Sequence, residues 1–181
     1  MLLTPFQYIF MQNRKIDNQV MEIVDAIKYF RENAAEYKID PEKIIIMGYS
    51  AGGYLTLGAT QQLAQEGITI YGQVIGYGYL RDGIEQYQKI PDENKPLCNT
   101  LIVFTNKDDF ILSTMRKYYD ILKKDNVSVS KLELPNANHG FLEENNPEYN
   151  FEGKFPGRGE EQEKYMYEAE AAIEEWISML N

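Results

Sequence analysis

The stretch from Ile44 to Gln65 constrains the fold of this chain more than any other. Ile44-Ile45-Ile46-Met47 is a short run apolar on both faces, the pattern of a strand buried in a parallel sheet. Gly48-Tyr49-Ser50-Ala51-Gly52 follows at once, and a helical pattern then runs from Ala51 to Gln65, closed by Gly67. By average composition a G-x-S-x-G arises by chance in about one chain in twenty of this length, so the letters alone say little. The placement between a strand and a helix gives them meaning. Such a turn is tight enough to strain the serine backbone, and its flanking positions are expected to need glycine because a side chain would clash. Ser50 Oγ then stands above the sheet as a nucleophile, and the Ala51 N–H at the helix start points to where an oxyanion would form. The competing reading is a glycine-rich turn in which Ser50 only caps the helix.

The rest of the chain alternates helices and strands around that turn. Val20, Ile23, Val24, Ile27, Phe30 and Ala34 recur at helical spacing from Asp17 to about Tyr37, and Asp40-Pro41 ends the pattern. Ile70–Tyr77, Leu101–Phe104 and Val127–Leu134 read as three further strands. A helix is expected from Ser113, as N-cap, to Lys124, and a closing amphipathic helix carries Met166, Ala169, Ile173, Trp176, Ile177 and Leu180. Leu80 to Pro96 has no clear period and reads as an insertion or cap over the sheet edge. Pro135 to Gly159 reads as a loop. The fold class expected is α/β: a mostly parallel sheet of about four strands flanked by helices, in one domain over residues 1–181.

A serine nucleophile needs a base, and His139 is the single histidine in the chain. It lies in Asn138-His139-Gly140-Phe141, just beyond the last expected strand, where loops at the carboxyl ends of parallel strands build sites. The acid that orients it is expected after the preceding strand. Asp108 or Asp109 fits, with Asp108 favoured and the other left to cap the next helix. Tyr49 and Phe141 adjoin the two candidates and are the expected substrate contacts.

Composition removes other classes. A formal net charge of −10 disfavours binding to nucleic acid or to an anionic membrane. No apolar run approaches the roughly 20 residues of a membrane span, and the first residues lack the basic start of a signal peptide, so a cytoplasmic location is the default. Cys98 is alone, which rules out an internal disulfide and a Cys/His zinc cluster. Gly153–Gly159 does not fit a phosphate-loop spacing, and Gly76-Tyr77-Gly78 lacks the rest of a dinucleotide fingerprint. No metal or cofactor is expected.

Three segments carry a resemblance. FRENAAEYKIDPEKIIIMGYSAGGYLTL is similar to the nucleophile region of α/β-hydrolase carboxylesterases, in particular bacterial acetyl-esterase and xylan-esterase-like lipases. LIVFTNKDDFI resembles their acid segment, with Asp108 at the acid position and Ile111 at that of a valine. LPNANHGF resembles their histidine segment. The resemblance implies a serine esterase acting on small-molecule esters, with small acyl groups, through a Ser50-Asp108-His139 triad and an acyl-enzyme. Two departures stand out. Only 43 residues precede Ile44, and the HGG-type loop that supplies the second oxyanion donor is absent from the sequence. The chain therefore resembles the carboxyl-terminal half of the family's domain, incomplete at its amino end. Ile44–Met47 would then form an open sheet edge, to be covered by Phe6–Met11 or by a second copy in a homo-oligomer. A non-catalytic interaction module with the hydrolase fold is the alternative expectation.

Overall fold

The computed structural model describes residues 16–107, 109–142 and 160–180. Helices α1 (Ile16–Glu32) and α2 (Ala34–Tyr37) lead into strand β1 (Ile45–Tyr49), helix α3 (Ala51–Gln65) and strand β2 (Gly72–Gly76). Helix α4 (Arg81–Lys89), strand β3 (Asn99–Thr105), helix α5 (Asp109–Lys124), strand β4 (Val129–Leu134) and helix α6 (Glu160–Met179) follow. The four strands form one parallel sheet in the order β1-β2-β3-β4, so all four carboxyl ends fall on the same side. The expected fold class is the one observed.

Strand order that follows chain order, joined by right-handed crossovers, puts α3, α4 and α5 on one face. Their packing agrees: Gln61 of α3 donates to the Gly83 carbonyl of α4, and the rings of Tyr87 and Tyr118 meet edge to face between α4 and α5. Alternation along β2 separates the two faces. Ile75 meets the start of α3 at Gly53, whereas a Cβ on Gly72 would come within 3.0 Å of Trp176 in α6. The main core lies along β2 and β3, with Ile75, Ile102, Val103 and Phe104 fully enclosed. A second core joins α1 to α3 through Ile23, Val24, Ile27, Leu55, Ala59 and Leu63. There the helices approach so closely that a Cβ on Gly58 would lie 2.8 Å from Val20.

Three expectations change. Leu80–Pro96 is no aperiodic cap: it contains α4, which buries Ile84 and Tyr87 against the core. Its pattern is hidden because Gly83, a buried position, and Tyr87, which carries a hydroxyl, do not score as apolar. Helix α5 starts at Asp109 rather than after Ser113, with an acidic residue in its first turn where the helix dipole favours one. Strand β1 is not a strand buried on both sides. It is one of the two outer strands of the described sheet, the edge position that the resemblance implies, only partly covered, with Met47 41% exposed. Phe6–Met11, expected as its cover, lies outside the described residues. Most of the expected Pro135–Gly159 loop does so as well.

Candidate active site

The site is built at the carboxyl ends of the strands. At the end of β1, Ser50 takes φ 53° and ψ −118°, a backbone conformation that side chains other than glycine rarely adopt. The turn is held from two sides. The Ser50 N–H donates to the Gly76 carbonyl at 2.9 Å, and the Ser50 carbonyl accepts from the Gly53 N–H at 3.1 Å. Only part of the glycine expectation holds. A Cβ on Gly48 would collide with the Gly52 carbonyl oxygen at 2.2 Å, whereas one on Gly52 meets nothing within 4 Å among the described residues. Gly53 matters instead: its added Cβ would come within 3.1 Å of Gly76 and Gly78, so the start of α3 rests directly on the chain leaving β2.

Ser50 makes no side-chain capping bond to α3, which removes the reading of an ordinary N-cap serine. Its Oγ lies 2.8 Å from His139 Nε2 across 89 residues of sequence. The nitrogen is within reach of the hydroxyl proton, the geometry a general base requires. Ala51 is the first residue of α3. Its N–H is the first of the helix, where no carbonyl one turn earlier in the helix is available to accept it.

His139 sits on the loop after β4, and that loop is stitched to the one after β3. Thr105 Oγ1 donates to the Ala137 carbonyl, Asn106 Oδ1 accepts from the Asn136 N–H at 3.0 Å, and Lys107 Nζ donates to Asn138 Oδ1 at 3.2 Å. Thr105 and Ala137 are buried, so the first link is shielded from water and is worth more than an exposed one. Gly140, at φ 86°, turns the chain immediately after the histidine, a conformation that suits glycine.

Of the remaining sequence candidates, Asp108 lies outside the described residues. Asp109 is exposed at the first turn of α5. Tyr49 is half-buried beside Ser50, and burial, with a smaller contribution from the Glu170 carboxylate, pushes its phenol up to about 12. Phe141 is 4% exposed and belongs to the core, its ring 4.9 Å from that of Tyr77. Sequence reasoning missed Tyr77, Thr105, Asn106 and Lys107. Tyr77 carries a signal in the flanking Gly76 and Gly78, which match no cofactor motif. Among the described residues no cluster of His, Cys, Asp and Glu could hold a metal ion. No described helix is long and apolar enough to cross a membrane.

Fold and site together define an α/β-hydrolase-type domain. The chain matches the family model BD-FAE over residues 2–151 and belongs to that family. No curated protein matches it. Among solved structures it is similar to MGS-M1, an α/β-hydrolase enzyme from a Medee basin deep-sea metagenome library, at 25% identity and a TM-score of 0.62. That similarity covers 89% of this chain and 64% of the other. It is also similar to the Francisella virulence factor BioJ, at 19% identity and a TM-score of 0.63, covering 88% of this chain and 60% of BioJ. Esterase Est22 aligns at 23% identity and a TM-score of 0.56, covering 68% of this chain and 48% of Est22. The chain thus spans from about half to under two-thirds of the length of these structures.

Proposed function

We propose that this chain is a serine hydrolase of carboxylic esters, with Ser50 as nucleophile, His139 as general base and Asp108 as the orienting acid. The observation that carries the reading is the 2.8 Å approach of Ser50 Oγ to His139 Nε2, at a serine held at positive φ. An unreactive turn has no need of that strained conformation.

The choice of Asp108 follows from the stitched loops. Residues 105, 106 and 107 bond to residues 137, 136 and 138, and the next residue along each strand-end loop is Asp108 and His139. Asp109 is already exposed at the first turn of α5, where an acidic side chain favours the helix. A carboxylate on His139 Nδ1–H fixes the tautomer that leaves Nε2 free to take a proton.

The chemistry then runs in two steps. Ser50 Oγ attacks the ester carbonyl as His139 Nε2 takes its proton, and the charge that develops on the carbonyl oxygen meets the Ala51 N–H. Collapse of the tetrahedral species breaks the bond to the alcohol, which leaves with the proton from His139. Water, deprotonated by the same imidazole, attacks the acyl-enzyme and releases the acid and free Ser50. No cofactor takes part. The substrate is a small-molecule ester with a short acyl group, held against the Tyr49 ring, with Phe141 behind the histidine.

Hydrolysis of short p-nitrophenyl esters tests the assignment. The chain is expected to release p-nitrophenol, Asp108→Asn to lose about 10⁴-fold in kcat, and Asp109→Asn to stay near the parent. Equal losses in both aspartate variants, or none in Asp108→Asn, would refute the choice of acid.

A further inference from the structure

Tyr77 is the first residue beyond β2 and the second non-glycine residue at the site with positive φ, at 31°. Its ring is fully buried. Three aromatic partners surround that ring: Tyr49 at 5.9 Å and nearly parallel, Phe141 at 4.9 Å, and His139 at 5.0 Å and steeply inclined. Tyr49 precedes Ser50, and Phe141 lies two residues beyond His139. One side chain therefore touches the nucleophile turn, the histidine and the histidine loop.

The backbone that carries the ring is fixed just as tightly. The Tyr77 N–H donates to the Val103 carbonyl at 2.7 Å, the preceding Gly76 carbonyl accepts from Ser50, and the following Gly78 lies against Gly53. A positive φ at a bulky residue is unfavourable and persists only where the surroundings over-determine it. Filling a core alone does not call for that strain, since a residue with ordinary φ fills space equally well.

We propose that Tyr77 is a positioning residue for His139, its strained and buried ring holding the imidazole in the orientation that reaches Ser50. The role rests on the ester-hydrolase reading of the site. Ring–ring contact at this distance is directional, so loss of the ring releases the imidazole about its own side-chain torsions. Nε2 then spends less time within reach of Ser50 Oγ, and small misplacements of this kind cost turnover rather than substrate affinity.

The full chain is compared with Tyr77→Phe, which keeps the ring, and with Tyr77→Met and Tyr77→Leu, which remove it. Two ringless variants guard against one that fails to fold, and thermal melting identifies folded protein. Because His139 is the single histidine, its imidazole gives one assignable set of NMR resonances. Wild type and Tyr77→Phe are expected to show one sharp set, whereas a folded ringless variant shows a broadened or doubled set. In ester hydrolysis, a folded ringless variant is expected to lose about tenfold in kcat relative to Tyr77→Phe, with KM little changed. One sharp imidazole set together with wild-type kcat in a folded ringless variant would overturn the role. A wild type without Ser50-dependent hydrolysis would sink the ester reading instead, and the imidazole spectra would still decide whether the ring orders His139.

Discussion

Two neighbouring strand ends meet at the site, and each carries a non-glycine residue at positive φ: Ser50 after β1 and Tyr77 after β2. They are bonded to each other, since the Ser50 N–H donates to Gly76, the residue before Tyr77. Their outcomes are opposite. The turn at Ser50 lifts a small side chain out of the sheet until its hydroxyl meets His139, while the turn at Tyr77 drives a large ring inward until it is fully enclosed. Positive φ thus turns a hydroxyl toward the histidine in one turn and packs a ring against that histidine in the other. The sequence marks the first with a motif and the second only with two glycines.

The largest expected effect separates the two turns by chemistry. Ser50→Ala is expected to lower ester turnover by about 10⁴-fold or more with the fold retained, a loss well beyond the tenfold assigned to a ringless Tyr77. Steady-state kinetics on both variants makes the comparison, and comparable losses would break it. The next effect lies within the Ser50 turn. Gly48→Ala forces a Cβ against the Gly52 carbonyl and is expected to cost about 1–3 kcal/mol or more, whereas Gly52→Ala is expected to fall within about 1 kcal/mol of the parent. Denaturant melts read both, and equal costs would mean that the turn is constrained evenly.

Thr105→Val tests the histidine side. It leaves the buried Ala137 carbonyl without its hydroxyl donor, for about 1–3 kcal/mol of stability and a drop in turnover smaller than that of Ser50→Ala. Unchanged stability would show that the loop is held by its other two links. The smallest effect concerns pH. Burial raises the Tyr49 phenol from 10.0 to about 12, so folding favours its protonated form. The stability it contributes is complete below pH 10 and is lost as pH rises toward 12. Alkaline melts of Tyr49→Phe are expected to fall less steeply across that window, and identical slopes would place the ionisation elsewhere.

Much of this was legible in the sequence. The helix Ala51–Gln65 has the bounds that the sequence pattern predicts, because a strong apolar pattern, a turn motif and a closing glycine all agree there. Strands β2, β3 and β4 lie within a few residues of the expected bounds; β2 and β3 are buried along almost their whole length, as apolar runs inside a parallel sheet are, whereas β4, at a sheet edge, is only partly covered. Helix α4 was not, because a buried glycine and a tyrosine carry its inner face. The pairing of Ser50 with His139 followed from there being one strained-turn serine and one histidine. The packing of Tyr77 on His139 and the links from Thr105, Asn106 and Lys107 depend on how close these loops come in space, and no spacing along the chain records that. Gly52 shows the reverse error: the motif letter suggested a steric need that falls on Gly48 and Gly53 instead.

The reactivity of Ser50 decides between a working ester hydrolase and an inert hydrolase fold. Intact-mass analysis of the purified chain after exposure to a fluorophosphonate probe tests it most directly, because such probes react with activated serines and largely spare ordinary hydroxyls. One adduct is expected on the wild type, none on Ser50→Ala, and sharply slowed labelling of His139→Ala. Folded wild-type protein that takes up no probe, or that is labelled equally after Ser50→Ala, would contradict Ser50 as the nucleophile.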